Sequence, residues 1–209
     1  MILLACLPAL TACGKYNYTK HLSESKSDIF CAETEEFSIT LSCVTREYPY
    51  LDDGITGART KLCEIVLTSD EPMERDYTVA VLDDKEWGGE MSFRNLRGDW
   101  YYSQGVESFP EGSVALRVCW ADEVRELTVT SVRSEKTLSP DDALSIAVET
   151  EKDTIDRLTQ NGEFQGEFYV RLLRRDRNYY YVGIIDRGGK TLSLLLDAET
   201  GEVLARRAP

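Results

Sequence analysis

The chain has 209 residues, with 24 Lys and Arg against 37 Asp and Glu and a net charge of −13. Hydrophobic residues make up 42% and aromatics 10%, enough for one or two packed domains and too much for wholesale disorder. So acidic a surface repels phosphate backbones, which argues against nucleic acid as a partner, and its charge would not draw it to anionic lipid.

Residues 1–13 are apolar but for Thr11. A run over residues 2–10 carries one helix breaker, Pro8, and ends in Leu10-Thr11-Ala12-Cys13 followed by Gly14. Nine residues are too few to span a bilayer, which takes about 20. They fit an export signal with a small residue before the cut, although no Lys or Arg precedes Cys13. The pattern resembles the lipobox of bacterial lipoproteins. That resemblance implies removal of residues 1–12 and a diacylglyceryl group on Cys13. The mature chain would then sit on the extracytoplasmic face of the cell membrane, held by its lipid. The competing reading is a buried N-terminal strand or helix.

Residues 13–30 are mostly polar and show no periodic apolar face, which predicts a flexible stalk. The only histidine, His21, falls on it. Residues 31–135 then alternate with period two. Phe37, Ile39, Leu41 and Cys43 share one parity, as do Cys63, Ile65 and Leu67, then Tyr77, Val79 and Val81, then Val114, Leu116, Val118 and Trp120. Turn signals such as Asp52-Asp53-Gly54, Asp83-Asp84 and Gly98-Asp99 punctuate them. Six or seven short strands in this rhythm predict an immunoglobulin-like antiparallel β-sandwich.

The pattern changes near residue 136. Ser139-Pro140-Asp141-Asp142 carries a cap, a first-turn proline and two acids suited to the positive end of a helix. Ala143, Leu144, Ala147, Val148, Ile155 and Leu158 follow at helical spacing. Strand-like runs then cover 168–173, 179–185, 192–196 and 203–205. Residues 136–209 therefore predict a small α+β domain, one helix on an antiparallel sheet. The helix start Ala143-Leu144-Ser145-Ile146-Ala147, the strand residues Tyr179-Tyr180-Tyr181-Val182 and the ending Leu195-Leu196-Asp197-Ala198-Glu199-Thr200-Gly201-Glu202-Val203-Leu204 resemble the PepSY domain. The resemblance implies an extracytoplasmic module tied to peptidase regulation or protein binding, without catalytic residues of its own.

Few residues carry chemistry. A nucleophilic site would need His21, which a stalk would not hold in place. Asp52, Asp53, Asp83 and Asp84 offer oxygen ligands but lack calcium-loop spacing, and read as turn formers. Cys31, Cys43, Cys63 and Cys119 show no metal-ligand spacing. They are an even set for two disulfides, Cys43 with Cys63 and Cys31 with Cys119, or else buried thiols. Cys63 with Cys119 fails on parity, since one side chain points in and the other out. Trp100 and Tyr102, near Trp87, could form a binding face, and Arg174 and Arg175 with Tyr180 could meet a partner's carboxylates. No metal or cofactor is expected. The sequence thus points to a non-enzymatic, membrane-anchored lipoprotein that binds a protein or peptide, or regulates an envelope peptidase. The rival is a hydrolase or binding module acting on cell-wall glycan or peptide.

Overall fold

The computed structural model describes residues 16–70, 76–82 and 87–209. The lipobox with Cys13 and the Asp83-Asp84 turn lie outside the described residues.

The element around which the chain is built is β1 (Leu22–Glu33), preceded by a short 3-10 turn at Tyr18–His21. Its first half pairs in parallel with β12 (Gly166–Arg174), Leu22 opposite Phe168 and Lys26 opposite Arg171. It also pairs antiparallel with β2 (Ser38–Glu47), and at Phe30 and Cys31 with β9 (Glu123–Ser131). Two ladders leave β1. One continues from β2 through β3 (Arg59–Thr68) and β7 (Asp99–Gly105) to β6 (Ser92–Arg94). The other runs from β9 through β8 (Ser113–Trp120) and β4 (Tyr77–Val81) to β5 (Trp87–Glu90).

Period two along each strand gives every ladder one apolar face, and both faces close on one core. Phe30, Ile39, Leu41, Ile65 and Leu67 meet Val79, Leu116, Val118 and Val129 there. The result is a β-rich N-terminal body.

A second core lies under α1 (Pro140–Thr150) and α2 (Lys152–Leu158), which a short hairpin of β10 (Thr159–Gln160) and β11 (Glu163–Phe164) follows. Ala143, Leu144, Ala147 and Ile155 pack on Phe168, Val170 and Leu172 of β12. They also meet residues of β13 (Asn178–Asp186) and β14 (Thr191–Asp197), and β15 (Val203–Arg207) closes that edge. Ser139 caps α1 as expected, in a capping box with Asp142, and Pro140 opens the helix. The single expected helix is split at Glu151, whose backbone leaves helical geometry while its carboxylate pairs with Arg206 across the sheet.

The stalk expectation is wrong for the described part of residues 13–30. The polar residues of β1 hid a strand because their partners are remote in sequence. The Ser23 hydroxyl donates to the Phe168 carbonyl, Glu24 accepts from Arg171, and Asp28 accepts from Ser131. The two faces of β1 serve different cores, Phe30 and Ala32 entering the first and Ile29 and Cys31 the second. The expected boundary at residue 31 thus falls inside a strand shared by both units.

Candidate functional site

β15 is exposed along its whole length. One edge pairs with β14, from Ser193 opposite Arg207 to Leu196 opposite Val203. No strand among the described residues pairs with its other edge. An unpaired edge offers a row of backbone donors and acceptors to an incoming chain. The turn that delivers β15 is fixed locally. The Asp197 carboxylate accepts the amides of Glu199 and Thr200, which holds its pKa below the ordinary range. Gly201 sits at φ +74°, where a Cβ would come within 2.5 Å of Ile146 on α1, so only glycine fits.

At the far end of β15 a cavity of about 380 Å³ opens between α2 and the ends of β13 and β14. Leu158, Ile184 and Leu192 give it an apolar floor, and Arg157, Lys190, Arg206 and Asp186 a polar rim. Arg206 is engaged by Glu151 at 2.6 Å. Arg157 donates to the Thr154 hydroxyl and the Asp153 carbonyl. The Asp186 carboxylate already accepts the amides of Gly188 and Lys190. The rim thus holds three cations against Asp186, with Arg206 already engaged by Glu151, and Arg157 and Lys190 are the groups a carboxylate could approach.

On the sheet face opposite the helices, an ionic cluster joins the two units. Arg171 donates to both Glu24 oxygens, at 2.7 and 3.2 Å, and to the Tyr50 hydroxyl, and lies 4.2 Å from the Tyr169 ring centroid. Arg46 pairs with Glu64 at 3.0 Å and approaches Glu24 at 4.0 Å. Lys26 lies among them, and burial lowers its pKa despite Glu64 and Glu24.

The residues singled out from the sequence do not converge. Trp100 is buried in the first core, 4.7 Å from the Tyr77 ring and 4.8 Å from the Phe93 ring, so it cannot form a binding face. Tyr102 is half-buried and stacks with Trp87 at 6.4 Å. Tyr180 is fully buried, its hydroxyl donating to the Leu138 carbonyl and accepting from Arg133, so it is structural and not a contact for a partner. Arg174 and Arg175 are exposed at the β12–β13 hairpin. His21 is held by ring contacts with Tyr16 and Phe164 and by the Tyr16 hydroxyl at 2.8 Å. Burial lowers its pKa. Asp52 and Asp53 sit in the β2–β3 loop, and no group of three or more His, Cys, Asp or Glu among the described residues could hold a metal.

Among the cysteines, Cys43 and Cys63 lie directly opposite each other on β2 and β3, both buried, and a hydrogen bond between the thiols pushes the Cys43 pKa up. Cys31 with Cys119 is excluded. Cys31 faces Thr130 and Cys119 faces Val124 along the same strand β9. Their separation is roughly 20 Å at about 3.3 Å per residue, far beyond disulfide reach.

The rim residues Arg157, Lys190 and Arg206 are not marked as a group by the sequence, because they lie on elements far apart along the chain and only the fold brings them together. The usable signal was Arg206-Arg207 on a terminal strand of an acidic chain.

No curated protein and no solved structure matches the chain. The family model described as "Peptidase propeptide and YPEB domain", PepSY, matches residues 137–207, and this PepSY domain, of a kind often linked to peptidase regulation or binding, follows the β-rich N-terminal region.

Proposed function

We propose that the protein is a non-enzymatic, extracytoplasmic lipoprotein, anchored through Cys13, that binds an extended peptide segment of a partner, such as an envelope peptidase under its control. The peptide adds as a further strand along β15, and a carboxylate of that peptide enters the cavity beside Arg157 and Lys190. The observation that carries this reading is the exposed, unpaired edge of β15 leading into a cationic pocket within the PepSY domain. Backbone pairing supplies affinity and the pocket supplies selectivity. The N-terminal body, read as an immunoglobulin-like sandwich whose two ladders share one core, holds the module away from the bilayer. In an oxidising compartment Cys43 and Cys63 join as a disulfide, because directly opposed antiparallel residues have the Cα spacing a disulfide needs.

Fluorescence anisotropy tests the docking. Labelled eight-residue extended peptides with a free C-terminal carboxylate are titrated against the full chain, then compared with their amides. A charge-assisted contact is worth about 1.5–3 kcal/mol, so amidation, or Arg157→Glu with Lys190→Glu, is expected to weaken binding at least about tenfold. Equal affinity for acid and amide would remove the pocket from the mechanism. Binding of wall-glycan fragments in place of peptides would favour the glycan reading. The anchor is tested by mass spectrometry of the native product, which should begin at a diacylglyceryl-modified Cys13.

A further inference from the structure

Glu167, on β12, is fully buried, and neither of its carboxyl oxygens has a hydrogen-bond partner. Alternation along β12 sends Phe168 and Val170 into the helix-covered core and Glu167 to the opposite face. The loop between β2 and β3, residues 48–58, covers it there. The fit is close. Gly54, at φ +75°, lies where a Cβ would be 2.7 Å from the backbone of Asp186 and Arg187 on the β13–β14 turn. The base of the loop is tied by Glu47, which accepts the amides of Leu51 and Gly57, and its middle by Tyr50 through Arg171.

Little apolar burial holds this loop down. Tyr48, Leu51 and Ile55 are 84%, 52% and 59% exposed. Segments with few buried apolar contacts open at low free energy.

The groups facing Glu167 favour its neutral form. The β2 end and the loop bring Glu47, Asp52 and Asp53. Glu24 on β1 stands opposite Tyr169 and is engaged by Arg171, while Asp186, next to the Ile185 that pairs with Glu167, is engaged by two backbone amides, and Arg187 follows it against Gly54. The Gly54 amide favours the charge but does not give either oxygen a formed hydrogen bond.

We propose that the 48–58 loop is a proton-operated latch, closed over Glu167 while its carboxyl is neutral and released when that carboxyl ionises. A buried carboxylate without donors must regain water, and the loop, which lies outside the sheet ladders, can lift without breaking them. Release uncovers the β12–β13 surface of the PepSY domain beneath the loop.

The direction with pH follows. Burial, then the surrounding acids, raises the Glu167 pKa from 4.5 to about 7. A group with a raised pKa in the closed state stabilises that state at low pH. Its contribution declines as pH climbs past 4.5 and is gone above about 7. The difference in pKa corresponds to a change of up to about 300-fold in the opening equilibrium.

Hydrogen exchange of the full chain, corrected for intrinsic rates and followed by mass spectrometry from pH 4.5 to 8.5, tests this. Protection of residues 48–58 should fall by up to about 300-fold while β2 and β3 stay protected. Glu167→Gln, neutral at every pH, should keep the loop protected throughout, and Gly54→Ala should leave it open throughout. A wild-type loop whose protection ignores pH, or a Glu167→Gln loop that keeps the wild-type dependence, overturns the proposal.

Discussion

Arg171 touches Glu24 on β1, Tyr50 on the β2–β3 loop and the ring of Tyr169 on its own strand. Glu24 is buried, and its partners are Arg171 and, more loosely, Arg46. Removing one member of such a pair leaves a charge in a poorly solvated place, which typically costs about 3–5 kcal/mol. Arg171→Ala is therefore expected to lower stability by about 3 kcal/mol, read as a drop in the urea midpoint. Glu24→Gln with Arg171→Met, which removes both charges and keeps most of the volume, should recover most of that loss. At this scale the sequence was informative where a rule acts within a few residues. Ser139 and Pro140 declared their cap, Asp197 and Gly201 their turn, and parity separated Cys63 from Cys119. It was silent where the deciding neighbour is remote. Nothing near Tyr180 announces that its hydroxyl meets Leu138 and Arg133, and nothing near Glu167 announces the lid supplied by residues 48–58.

Among the elements, α1 shows the ordinary relation of sequence to structure. Its cap is local and complete, with the Ser139 side chain taking the Asp142 amide and Asp142 returning to the Ser139 amide. Ser139→Ala should cost about 1 kcal/mol, visible as a lower melting temperature with little change in the far-ultraviolet spectrum. The opposite case is β1. Ser23, Glu24, Lys26 and Asp28 give it the look of a solvated tether, because hydropathy cannot register partners supplied 103 or 145 residues later. Its apolar end alternates Ile29, Phe30, Cys31 and Ala32 between two cores. Period two detects such a strand only when one face is apolar, and here both are in turn. β15 is legible as a strand and illegible as an edge, since pairing order is a property of the whole sheet.

For the molecule as a whole, β1 makes the N-terminal body and the PepSY domain parts of one continuous sheet. A chain reading that divides them at residue 31 or 136 cuts through that sheet. The expected consequence is that a fragment of residues 137–209 fails to fold by itself. It would expose the β12 edge and lose Leu22 and Ile29 from its core. Circular dichroism and amide spectra of the fragment should show a loosely packed or aggregated species, whereas the chain from residue 16 onward should unfold in one transition. A well-dispersed spectrum from the fragment would show that β1 is dispensable to it.

The parallel pairing of β1 with β12 also sets an order of events in biogenesis. Ribosomes and export channels deliver chains amino end first, and the front of β1 must wait for residues 168–171 before it has a neighbour on that side. Among the described strands, the first made is thus one of the last to be completed. During that interval its open flank can recruit other nascent chains, so escort by a holding chaperone is most valuable to this protein until residues 168–171 have emerged.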